Sequence, residues 1–240
     1  MMRTRLALVL PALLAPGAAW VATRSGGRLL LPSLATLAVY PCMALLIAAG
    51  RPRRAVLATL LWAASLSVSV IALAARDPDA VGRVVLHGPA YREEMFGFIR
   101  QGTGPEGDPA RFLPQHLAHL AAFAALAGAS GGLLGLASGS VLIGYMSYYV
   151  GCLAAAGGAP WRAFLLGWPP YAVARVAGYV LLGIALSRPI LGRVARRPLP
   201  WTPGRSWYGT AAALLLLDAL LKWALAPAWA ALLRPCLGVP

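Results

Sequence analysis

The chain has 240 residues, 60% hydrophobic and 12% charged, with 21 Lys+Arg against 7 Asp+Glu and a formal net charge of +14. A soluble domain carries about 25% charged residues, so this composition excludes a soluble globular enzyme, a disordered chain and a disulfide-stapled secreted domain. What remains is an all-α polytopic transmembrane bundle, a single integral membrane domain over residues 1–240. The basic excess does not point to nucleic acid. It sits between long apolar runs, and no soluble basic domain with interleaved aromatics exists to hold a polynucleotide.

A transmembrane helix needs about 20 mostly apolar residues, and seven stretches qualify. The first is 6–22, with Pro11 and Pro16 expected to kink it. Arg3 and Arg5 before it, and Gly17-Ala18-Ala19 within it, also fit a cleaved signal peptide, which would leave six spans. The second and third are 29–49 and 55–75. The run 113–160 is too long for one span and is expected to divide near Ser138-Gly139-Ser140. Two further spans follow, 168–187 and 208–233. The arginines assign an orientation. With the N-terminus inside, Arg3, Arg5, Arg51, Arg53, Arg54, Arg188, Arg193, Arg196, Arg197 and Arg205 all fall on the inner face. Only Arg24, Arg28, Arg162 and Arg234 fall in the short outer segments, so the expectation is N-in and C-out, in the inner membrane of a bacterium. Cys42, Cys152 and Cys236 form no CxxC pair and read as small buried hydrophobes.

The polar chemistry is concentrated. Residues 76–119 hold six of the seven acidic residues and all three histidines, His87, His116 and His119. The extracytoplasmic loop 76–112 is expected to carry a short helix on the membrane surface, with Tyr91, Met95, Phe98 and Ile99 on one face and Glu93 and Arg100 opposite. Gly102, Gly104 and Pro105 should end it, and Asp108 should cap a helix that opens with Pro109. His116 and His119, three residues apart, share a face of that helix. Together with Glu94 they could hold a divalent metal, zinc or iron, and a metal there could activate water. The alternative is a pair of interfacial histidines bonded to water and headgroups.

Glu93-Glu94 followed by Phe112-Leu113-Pro114-Gln115-His116 resembles the first two motifs of the CAAX-protease and bacteriocin-processing membrane family. The resemblance covers about a tenth of the chain. It implies intramembrane peptide hydrolysis with Glu93, Glu94 and His116 as catalytic residues. Phe98 stands where that family's motif has arginine, and its third motif, a later histidine, has no counterpart here. Gly128-Ala129-Ser130-Gly131 resembles the rhomboid nucleophile motif, but no histidine follows to serve as base. Its glycines, with Gly132, Gly135, Gly139 and Gly144, read better as small-xxx-small packing faces. Glycine placement over residues 113–187 is also loosely similar to the stage II sporulation protein M family, whose members recruit partners.

Ionisable residues inside spans are costly and tend to be partnered. Arg175 is expected either to bind an anion or lipid headgroup near the outer leaflet or to snorkel. Asp218 and Lys222, four apart, are expected to form an intramembrane ion pair. Three functions follow: a component that binds membrane lipids or other membrane proteins through its outer segment, a metal-dependent intramembrane hydrolase, or a small transporter.

Overall fold

A computed structural model describes residues 2–239, with side chains from Leu6 onward. The side chains of Arg3 and Arg5 lie outside the described residues. Ten α-helices account for most of the described residues: α1 Met2–Ser25, α2 Leu30–Ala48, α3 Pro52–Arg76, α4 Pro78–Val84, α5 Gly88–Gln101, α6 Pro109–Ala129, α7 Leu133–Ala155, α8 Pro160–Leu166, α9 Pro170–Val194 and α10 Arg205–Leu233. Short 3₁₀ turns at Pro105–Gly107 and Arg234–Leu237 complete it.

Six helices among the described residues are long and apolar enough to cross a membrane: α1, α2, α3, α7, α9 and α10. Helix α6 has the length, about 31 Å at 1.5 Å per residue. Its first half carries Arg111, Gln115, His116 and His119, which lowers its hydropathy.

The long run divides at a different place from the one expected. Helix α7 runs unbroken through Ser138-Gly139-Ser140. Ser138 and Ser140 donate to the carbonyls of Gly135 and Leu136 at 2.9 and 2.8 Å, which satisfies both hydroxyls inside the helix. The turn falls instead at Gly131 and Gly132, with φ of +63° and +91°. Only glycine adopts two successive left-handed residues at little cost.

Helix α7 is the hub. It packs against α3, α2, α5 and α6, while α3 also carries α1 and α9 carries α10. Prolines begin α3, α4, α6, α8 and α9, where the missing N–H costs nothing. Asp77 and Asp108 accept from the amides of Ala80 and Ala110, capping α4 and α6 as their position before proline suggests. Helix α5 has the expected face, with Met95, Phe98 and Ile99 buried. That face is covered by protein, against Tyr149, Leu153, Ala226 and Leu233, rather than left free for lipid. At the other end of the bundle the Pro-rich connection to α10 folds back. Trp201 and Trp207 meet edge-to-face with ring centroids 4.8 Å apart, and Trp207 donates to the Leu181 carbonyl at 2.8 Å.

Candidate ligand pocket and buried charge cluster

Four charged side chains meet where α6, α9, α10 and the Pro105–Gly107 turn converge. Asp218, 2% exposed, takes a bidentate fork from Arg175, Nε to Oδ2 at 2.8 Å and Nη2 to Oδ1 at 2.9 Å. Lys222, 1% exposed, pairs with Glu106, Nζ to Oε2 at 2.8 Å, and its ammonium sits 4.8 Å from the Phe112 ring centroid. The pairing is therefore not the expected one. Asp218 and Lys222 do share a face of α10, but each is turned to a different partner. A fork geometry favours Arg175 for the carboxylate, and Glu106, on the Pro105–Gly107 turn, meets the ammonium. Arg175 does not snorkel, since the carboxylate it needs lies within the bundle.

His116 adjoins the pair. Its Nδ1 donates to the Phe112 carbonyl at 2.9 Å, because a carbonyl can only accept. Its Nε2 lies 3.6 Å from Asp218 Oδ2, just beyond hydrogen-bond reach, and is buried without a partner. With Nδ1 committed as donor, the neutral ring presents Nε2 as an acceptor.

Beside this cluster lies a partly open cavity lined by α2, α3, α6, α7 and α9, offering about 70 Å³ to the centre of a water-sized sphere. One water needs roughly 10–15 Å³ by that measure, so the space holds several. One end is polar, with His116, His119, Tyr145, Trp168 and Arg175. Met43, Leu136, Val180 and Ile184 make the other end apolar. Three buried side-chain nitrogens among the described residues lack a hydrogen-bond partner: Trp62 Nε1, Trp168 Nε1 and His116 Nε2. All three belong to residues that line this one cavity. Native proteins leave few buried polar atoms unsatisfied, and each such atom requires an explanation.

Comparison with family models, curated proteins and solved structures finds no match. The function therefore has to be argued from the site.

The structure brings the remaining sequence candidates together only in part. His116 and His119 both face the cavity, as their spacing requires, with His119 on its exposed rim. Glu93 is exposed and bonded to its neighbour Arg92 at 2.6 Å. Glu94 is half-buried. Burial, then the nearby Glu106 carboxylate, pushes its pKa up from 4.5. Among the described residues no three of His, Cys, Asp or Glu gather closely enough to hold a metal ion. All three cysteines are free and buried.

Trp62, Trp168 and Glu106 escaped the sequence reading. Tryptophan prefers the membrane interface, so an indole N–H in the middle of the third span was the available signal for Trp62. Nothing local marked Glu106 as the partner of a lysine 116 positions away.

The packing glycines divide by role. A Cβ at Gly135 would come within 2.7 Å of Ala127 Cβ, so that pair sets the close approach of α6 and α7. A Cβ at Gly128 or Gly139 would meet nothing within 4 Å. Gly139 faces the cavity and keeps it open.

Proposed function

We propose that this protein is a multi-pass membrane protein that binds a membrane amphiphile in the cavity between α6, α7 and α9. Ligand pockets are concave and mostly apolar with a few convergent polar groups, and this one has an apolar end and a polar end. The observation that carries the reading is that every unpartnered buried nitrogen among the described side chains lies on a residue of that cavity. Polar head and apolar tail of a lipid match its two ends.

In this reading α6 is a seventh span, the N-terminus lies inside, and segment 76–112 faces outward from the plasma membrane. The arginine distribution supports that orientation. The polar end of the cavity then opens toward the outer leaflet. The outer segment closes the bundle from above through the Glu106–Lys222 pair and through Arg234, which donates to the Ile99 carbonyl at 3.3 Å. Binding fits the geometry better than metal-dependent hydrolysis, which asks Glu93, Glu94, His116 and His119 to converge. It also fits better than transport through Asp218 and Lys222, each of which is held by its own fixed partner.

The test fills the cavity from within. Gly139→Leu places a side chain where nothing stands within 4 Å of the added Cβ. Native mass spectrometry of the full chain, purified from membranes, should show a retained lipid that this variant loses. Equal retention by wild type and variant would sink the reading.

A further inference from the structure

We infer that this pocket takes one unbranched acyl chain, its head at the polar end and its methyl end toward Met43 and Ile184; this rests on the binding reading above and names what enters the cavity. The polar groups of the lining are turned to the protein. Thr59 donates to Ala55 at 2.9 Å, and Arg175 closes its fork on Asp218. The indole nitrogens of Trp62 and Trp168 and Nε2 of His116 are buried in the wall, so an occupant meets ring carbon there. Deeper in, the lining is Met43, Leu136, Val180 and Ile184. A polar group carried to that depth would go unbonded, which is costly. A hydrocarbon chain loses nothing there.

The shape selects a single chain. Helices α7 and α9 barely touch; α3 and α6 each pack against both, and the cavity lies in the gap. Its lining runs from Ala172 to Ile184 on α9, about 18 Å at 1.5 Å per residue. That length accepts a chain able to span one leaflet, half of a hydrocarbon core about 30 Å thick. Spread over it, the 70 Å³ open to sphere centres makes a slot about 5 Å across once the 1.4 Å sphere radius is restored. Carbon atoms pack at about 3.5–4.0 Å, so one chain fills that width and a second does not enter. The head, and any second chain, stay outside at the polar end, where His119 is exposed. Gly139 stands midway between Gly132 and Met146, the limits of the lining on α7, so a side chain there blocks the inner half of the slot.

The test incubates the delipidated full chain in detergent with equal amounts of decanoyl- and palmitoyl-lysophosphatidylcholine and reads occupancy by native mass spectrometry. Both chains come from detergent, so the difference reads the fit. The palmitoyl lipid should be retained about fivefold more, because the shorter chain leaves the inner end of the slot without contacts. Gly139→Leu should lose the palmitoyl lipid and reverse the preference toward decanoyl. Gly139→Ala, which adds one methyl, should shift it the same way by less. A second arm sets dipalmitoyl phosphatidylcholine against the palmitoyl lysolipid. Similar retention identifies an ordinary two-chain phospholipid as a source of the chain, and retention of the lysolipid alone identifies a single-chain lipid; both support one chain in the slot. Retention of the two-chain lipid about tenfold above the lysolipid would place both chains inside and overturn this inference. Equal retention of decanoyl and palmitoyl, or loss of both alike in Gly139→Leu, would overturn it and leave the pocket reading standing, whereas no retention of any of these lipids would overturn both.

Discussion

Helix α7 presents two different faces. Near its C-terminal end it lies against α3 as closely as backbones allow: a Cβ on Gly151 would fall 2.5 Å from Ala74 Cβ and 2.6 Å from the Ile71 carbonyl oxygen. Polar atoms on that seam are paired, with Ser147 donating to Ser67 at 2.8 Å. On its other face, toward α6 and α9, the same helix leaves Gly139 uncontacted and borders a cavity three of whose lining residues carry a buried, unpaired ring nitrogen. Both faces use glycine, but for opposite ends. In lipid, close helix approach substitutes for the hydrophobic drive that water would supply, so a seam that declines that approach is spending stability for another purpose.

The largest break in this comparison comes from the charge cluster that walls the open side. Asp218→Ala strands the Arg175 guanidinium and should cost about 3–5 kcal/mol, as buried pairs do when one partner is removed. Replacing both residues with apolar side chains of similar size should recover much of it. Thermal unfolding in detergent reads both, and an Asp218→Ala protein as stable as wild type would refute the pair's importance. Next comes the closed face. Gly151→Leu drives a side chain into α3 backbone and should cost about 3 kcal/mol or prevent folding. By contrast Gly139→Leu should change stability by no more than about 0.5 kcal/mol while emptying the pocket. Equal penalties at the two glycines would erase the distinction between the faces.

The smallest effect is a pH dependence on α5. Glu94 has its pKa raised in the fold by burial and by Glu106. The folded state therefore holds this proton more tightly than the unfolded chain. The stability it contributes is full below pH 4.5 and is lost as pH rises through the higher folded value. Glu94→Gln should flatten that decline in melting temperature on the mildly acidic side of neutrality. An unchanged pH profile would show that Glu94 titrates normally.

Much of the fold was legible because the bilayer makes it so. Apolar runs of sufficient length marked the six helices, and the Asp108-Pro109 start of α6 could be read from its cap. The break at Gly131-Gly132 was misplaced because small residues at 138–140 look like a turn, while their serines close hydrogen bonds within the helix. His116, Arg175, Asp218 and Lys222 were singled out as costly polar groups at membrane depth, but their partners were not legible. Spacing along α10 favoured an Asp218–Lys222 pair, and the tertiary fold outweighed it by supplying a guanidinium fork and a carboxylate from distant segments.

By itself the sequence determined a helical membrane protein whose acidic residues and histidines gather in one segment, because hydrophobic length and charge sorting are local properties. Only the tertiary structure decided which charge meets which, which glycines touch and which stand open, and that Trp62, Trp168 and His116 share one cavity. Those facts depend on how α3, α6, α7 and α9 cross, and residues more than 50 positions apart carry no local record of their meeting.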